Sequence, residues 1–268
     1  MVDAPVIVAR DVSYHMRAYR SFEFVSFEVA VGELHAALST EHAAARDTLL
    51  AVAGLVQPTA GSLAVGGVEL AAPAHRGGAA GLRRLFGARE RLPRGAVGLG
   101  VFEHVAPVAE QLTVEEAVSH EAGLRGPAAG DRRVPDVLAY LASLGLATVS
   151  EQQIARLEPA MRARLSVALA CAGAPRAAVV DLTDPFVAGL SASDAAALIA
   201  DAHAVAQELG TALLVATSEV ACARAADAAT ALDIPAAEAL AAAESADLPA
   251  DAPTLARPAA TLQEVTAR

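Results

Sequence analysis

Val31-Gly32-Glu33-Leu34-His35-Ala36-Ala37-Leu38 runs into Ser39-Thr40-Glu41-His42-Ala43-Ala44-Ala45-Arg46-Asp47, and Ala53-Gly54-Leu55-Val56-Gln57-Pro58-Thr59-Ala60-Gly61-Ser62 follows a few residues later. Residues 34–38 form an apolar run of strand length, entered through the turn at Val31-Gly32-Glu33. The spacing over 48–55 predicts a helix that Gly54 and Pro58 bring to an end. The loop between strand and helix holds no glycine, and the chain holds no lysine.

Working outward, residues 5–9 and 21–29 read as strands, and 62–65 with 68–70 flank Gly66-Gly67, a hairpin signal. Residues 73–100 are rich in glycine and arginine (Arg76, Arg83, Arg84, Arg89, Arg91 and Arg94) and read as a long loop with a short helix near 82–86. Residues 113–123 and 134–144 predict two amphipathic helices separated by the Gly/Pro-rich stretch 126–130, and 161–172 predicts a third. Then come a buried strand at 177–182, a long helix at 192–209 and another buried strand at 212–216. Strands alternating with helices make the chain α/β, with a mostly parallel, helix-covered sheet. From about Pro235 the composition turns to Ala, Pro, Asp and Glu, predicting a loosely ordered or partly helical tail.

At 268 residues the chain has ample length for a core. Aromatics are only 3% against 54% hydrophobic residues, so that core must be built from Ala, Val and Leu. A net charge of −11 argues against a nucleic-acid partner and against docking on an anionic membrane surface. Cys171 and Cys222 lack CxxC spacing and are expected as buried apolar residues of a reduced cytoplasmic protein. Neither a signal peptide nor a membrane-spanning run is legible, so no direct membrane insertion is expected.

The order and spacing of these segments resemble the nucleotide-binding subunit of ABC transporters over roughly residues 5–232, with 233–268 as a C-terminal tail. Residues 31–38 look like that family's lead-in to its phosphate loop, and 53–62 like the exit. Both anchors place Ala45 at the phosphate-binding lysine, Arg46 at the magnesium-binding Ser/Thr and Asp47 just after. Leu112-Thr113-Val114-Glu115-Glu116 resembles the segment after the Q-loop, which puts Glu103-His104 where its glutamine belongs. Leu157-Glu158-Pro159-Ala160-Met161 looks like the signature motif. Asp181 falls at the Walker B aspartate, Leu182 at the catalytic glutamate, Gly189-Leu190-Ser191 at a displaced D-loop and Ser218 at the switch histidine. Tyr14 matches the aromatic that stacks on adenine, its other reading being an ordinary packed side chain. The resemblance implies a P-loop NTPase-like core, an N-terminal antiparallel β-subdomain and an inserted helical subdomain at about 105–160.

It also implies a chemistry that these residues serve poorly. A phosphate loop needs glycines to turn amides toward the anion and a lysine to neutralise it. At the signature position Pro159 has no amide to donate, and Glu158 adds a carboxylate. Like charges about 4 Å apart at an effective dielectric near 20 cost about 4 kcal/mol, against about 1 kcal/mol returned by a hydrogen bond. Asp47, His104, Asp181 and Asp184 are metal-ligand types but are dispersed, and no metal site is expected. Without the glutamate and histidine nothing remains to orient water, so no residue is assigned a catalytic role.

The leading expectation is a hydrolysis-deficient cassette. It would be cytoplasmic, held at the inner face of the membrane through a permease subunit or paired with a competent ATPase. Two alternatives stay open: an ATP- and magnesium-using transport ATPase with atypical motifs built on Arg46, Asp181 and Asp184, and a free-standing scaffold.

Overall fold

The structure, a computed structural model, describes residues 4–16, 19–71, 91–125 and 136–246. The predicted helix at 82–86, the Gly/Pro-rich stretch 126–130, most of the arginine-rich loop and the tail beyond 246 lie outside the described residues.

Two sheets organise the chain. The first is antiparallel, with strands β1 (Ile7–Met16), β2 (Tyr19–Val29), β4 (Ala60–Val65) and β5 (Val68–Ala71) in the order β2-β1-β4-β5. Strands β4 and β5 meet with Val65 opposite Val68. Gly66 and Gly67 make the tight turn at φ 58° and 85°, the left-handed pair that a two-residue hairpin requires. The second sheet is parallel and holds β3 (Leu34–Leu38), β6 (Val97–Leu99), β7 (Ala177–Asp181), β8 (Ala212–Thr217) and β9 (Ala228–Ala231) in the order β6-β7-β8-β3-β9.

Strands β3, β7 and β8 are buried at every position, as expected of a sheet covered on both faces. Helix α1 (His42–Val52) lies on one face and brings Ala44, Ala45, Leu49 and Val52 into a cluster with Val179, Leu214 and the inner side of the antiparallel sheet. On the other face, Val180, Leu213 and Val215 share a cluster with α4 (Pro159–Cys171) and α5 (Ala192–Leu209). Helices α2 (Val114–Arg125) and α3 (Val137–Ser143) pack beside α4, where Tyr140 donates its buried hydroxyl to the Ala168 carbonyl at 2.8 Å. Helix α5 has the ends its sequence announces: Ser191 Oγ accepts from the Asp194 amide, and Gly210 closes it at φ 62°. The chain then adds α6 (Val220–Ala225), β9 and α7 (Ile234–Ala246). Alanine, leucine and valine make up most of the buried core of the described residues, with few aromatics among them. Cys171 and Cys222 are both buried, no disulfide links them, and burial pushes the Cys222 thiol up, which keeps it protonated.

Three expectations need correction. The helix placed at 48–55 begins at His42, six residues earlier, because alanine has the highest helix propensity and no glycine interrupts the turn. The long loop at 73–100 contains strand β6, too short to show periodicity and fixed by its pairing with β7. The buried strand expected at 177–182 ends at Asp181.

Candidate functional site

The parallel strands end together, and a cleft of 310 Å³ opens beyond the carboxyl ends of β3, β7 and β8. In open α/β sheets that edge is where ligands bind. Ser39, Thr40 and His42 line it from the end of β3 and the start of α1, Leu182 to Pro185 and Val187 to Leu190 from the segment after β7, and Thr217, Ser218 and Glu219 from the end of β8.

The segment after β3 is short because α1 starts so early. Its amides are spoken for: Ser39 donates to the Thr217 carbonyl at 3.0 Å, and Glu41 to Ser39 Oγ at 3.0 Å. The Thr40 amide donates to Asp233 Oδ2 at 2.8 Å. Asp233 lies between β9 and α7, and it also accepts from Ser39 Oγ, Thr40 Oγ1 and the Ala236 amide. Partial burial raises the Asp233 carboxyl, but these four donors outweigh it and hold the group below the usual carboxylate range.

Beyond β7, Asp181 is fully buried. Its Oδ1 accepts from both the amide and the hydroxyl of Thr183, at 2.8 and 2.6 Å, while Oδ2 has no partner. Burial pushes this carboxyl above its ordinary value, although the Thr183 bonds and the nearby His42 pull the other way. His42 Nδ1 sits 2.6 Å from Thr183 Oγ1, so imidazole, hydroxyl and carboxylate form one hydrogen-bonded chain at the floor of the cleft. Nothing in the sequence joins His42 to Thr183, 141 residues apart.

Of the residues singled out from the sequence, Ser218 lines the cleft and is exposed, and Asp181 is buried next to the lining residues Leu182 and Thr183, the latter hydrogen-bonded to it. Leu182, Gly189 and Leu190 line the cleft too, whereas Ala45, Arg46, Asp47, Tyr14 and His104 are elsewhere. Ala45 is fully buried in the apolar cluster between α1 and the two sheets. Asp47 is buried against β2, accepting from Ser21 Oγ at 2.9 Å, and Arg46 folds back on it at 3.3 Å. Tyr14 packs against Phe22, with ring centroids 6.3 Å apart, on the antiparallel sheet. His104 is exposed, 3.8 Å from its neighbour Glu103. Asp184 lines the cleft with both oxygens engaged, Oδ1 by the Phe186 amide and Oδ2 by the Glu103 amide. Among the described residues no group of three or more His, Cys, Asp or Glu side chains is placed to hold a metal ion.

At residues 157–161, Leu157 is buried, Glu158 is exposed and makes no side-chain capping bond, and Pro159 opens α4, followed by Ala160 and Met161. Arg162 seals the approach to this helix by donating to the carbonyls of Leu157 and Ala155 while lying 5.5 Å over the Phe186 ring. Pro159 is close to Gly189, where an added Cβ would stand 3.4 Å from its ring. Among the described residues no helix is long and apolar enough to cross a membrane.

No family model matches the chain. Over 204 residues it is 28% identical to the methionine import ATP-binding protein MetN of Streptomyces coelicolor. That match covers 76% of this chain and 55% of the relative, so the chain spans about half of the curated protein it resembles. Among solved structures it is similar to an ATP-binding subunit of an ABC transporter, with TM-score 0.56, 22% identity and 85% of each chain covered. It is also similar to cbiO1 of Clostridium perfringens, described as part of the ABC transporter complex cbiONQ, with TM-score 0.61, 15% identity and 86% of each chain covered. In fold and in sequence, the resemblance to the nucleotide-binding subunits of ABC transporters therefore stands.

Proposed function

We propose that this chain is a homologue of ABC-transporter ATP-binding subunits that does not hydrolyse ATP and acts through its surface. In this reading it is an interaction or regulatory subunit, bound to a membrane permease or paired with a competent ATPase. One observation carries the proposal. Where a triphosphate would be gripped, the segment after β3 offers no glycine and no lysine, and its Thr40 amide is already bonded to Asp233. Arg46, the arginine of the following helical turn, is turned onto Asp47. These residues do not fit a magnesium-bound triphosphate.

The reaction chemistry points the same way. Asp181 keeps the buried carboxylate at the end of β7, but Leu182 beside it cannot accept a proton. Asp184, the nearest acid downstream, spends both oxygens on backbone amides. Ser218 brings a hydroxyl and no base. The similarity to MetN and to cbiO1 supports the partner class, a membrane permease, without naming what is transported.

The test is thermal melting of the purified chain with and without Mg-ATP, read beside phosphate release. A ligand present at about 100 times its Kd adds about 2.7 kcal/mol of stability, a rise of roughly 5–10 °C for a domain of this size. The expected result is no rise at millimolar Mg-ATP and no release above buffer. Micromolar binding with turnover would overturn the proposal in favour of an ATPase with atypical motifs.

A further inference from the structure

The parallel register of β3 and β9 pairs Leu38 with Ala231, and the Leu232 amide extends it by donating to the Leu38 carbonyl at 2.8 Å. Continued two residues beyond Leu38 and Ala231, that register sets Asp233 opposite Thr40. The carboxylate arrives beside the loop because two adjacent strands end together, and the loop presents it with donors on both oxygens. Oδ2 takes the Thr40 amide and Ser39 Oγ, each at 2.8 Å. Oδ1 takes Thr40 Oγ1 at 3.1 Å and, from the first turn of α7, the Ala236 amide at 2.8 Å.

We propose that Asp233 is the resident anion of this loop: its carboxylate takes the donors an incoming phosphate would need and latches α7 onto the end of β3. The inference deepens the reading of residues 39–47 as the phosphate-loop position and rests on it. Hydrogen bonds to an ionised acceptor are the stronger kind, and four of them converge on this one group. A phosphate entering here would displace a bound carboxylate and then meet its charge, together with that of Glu41, at short range. Neither basic side chain of this segment is free to offset that repulsion, since Arg46 is on Asp47 and the His42 ring is engaged by Thr183. Helix α1 behind the loop has no side-chain cap at its N-terminus, so removing the carboxylate would leave a bare helix end next to an open amide. Docking of residues 233–246 thus does for this loop what a bound anion would otherwise do.

The experiment uses the full chain, with inorganic phosphate as the probe and chloride at matched ionic strength as the control. Wild type, Asp233→Ala and Asp233→Ser are compared by thermal melting. Serine keeps a cap for α7 while removing the charge, so a response shared by both variants is not a capping effect. Wild type is expected to melt at the same temperature in phosphate and chloride. Both variants are expected to melt several degrees lower in chloride and to regain part of that loss in phosphate only.

Three outcomes overturn the inference: wild type gaining as much from phosphate as the variants do, variants melting where wild type does, or variants melting lower with no phosphate-specific recovery. Should Asp233→Ala fail to fold, Asp233→Ser decides by the same criterion. Binding of Mg-ATP by wild type would undo the proposed function instead, whereas variants without a phosphate response would undo only the role of Asp233.

Discussion

Lowering the pH should weaken this fold through one histidine in its central strand. His35 on β3 is 4% exposed, its ring 5.3 Å from that of Phe27, with Nε2 3.0 Å from Thr230 Oγ1 and Nδ1 without a hydrogen-bond partner. Burial lowers its pKa from 6.5 to about 4, because a charged ring there would lose its water and gain no counter-ion. The unfolded chain takes up the proton as pH falls through 6.5, and the folded chain does so only near pH 4. Stability contributed by the neutral ring is therefore complete above pH 6.5, declines between 6.5 and 4, and levels off below. The gap between 6.5 and about 4 amounts to about 3 kcal/mol, at about 1.4 kcal/mol per pH unit. Carboxylates titrate in the same window, so the informative quantity is a difference between two proteins. Melting midpoints of wild type and His35→Phe, each measured at about pH 7.5 and about pH 4, supply it. Wild type should lose about 3 kcal/mol more than the variant, roughly 6–12 °C of additional midpoint shift. Parallel pH profiles would refute the argument, since they would mean the ring is solvated or carries its proton in the folded state.

Further expectations follow from single contacts. Gly100→Ala places a Cβ 2.4 Å from Ser166 Oγ and should cost about 1–3 kcal/mol in a denaturant titration; a smaller loss would mean that β6 and α4 part easily. Tyr140→Phe removes one of two donors to the Ala168 carbonyl, which keeps the Ala172 amide, and should cost about 1 kcal/mol by the same measurement, with near-neutrality arguing that water replaces the hydroxyl. Asp181→Asn removes a buried carboxylate whose folded pKa is raised, a group that weakens the fold as pH rises; the variant should melt at or above wild type at neutral pH, and magnesium should move neither midpoint. A magnesium-dependent rise in wild type alone would instead make Asp181 a cation ligand.

The parts of the fold legible in the sequence are those where local chemistry and tertiary packing ask for the same thing. Residues 34–38 and 212–216 read as buried strands because both faces are covered, and helix α5 has in the structure the bounds 192–209 that its sequence predicts. Strand β9 went unread because Ala228–Ala231 carries no β-branched signature beyond one threonine and is held by its pairing with β3. The site was legible as positions along the chain and not as contacts. Spacing assigns Ala45, Arg46 and Asp47 to a loop, whereas alanine's helix propensity draws all three into α1, each with a different neighbour. Asp233 had no signal at all, because what gives it a partner is the register between strands that sets it beside Thr40, 193 residues away in sequence.

Burial of Ala45 also bears on the order in which such a segment can change. A lysine introduced there by one substitution would deliver its ammonium into the packed layer between α1 and the two sheets, where it would find hydrocarbon and no anion. The first turns of the helix would have to unwind before that side chain could point anywhere useful, and glycine would have to come before lysine. Any path from this chain to a nucleotide-gripping one therefore passes through intermediates that have the open turn and not yet the charge.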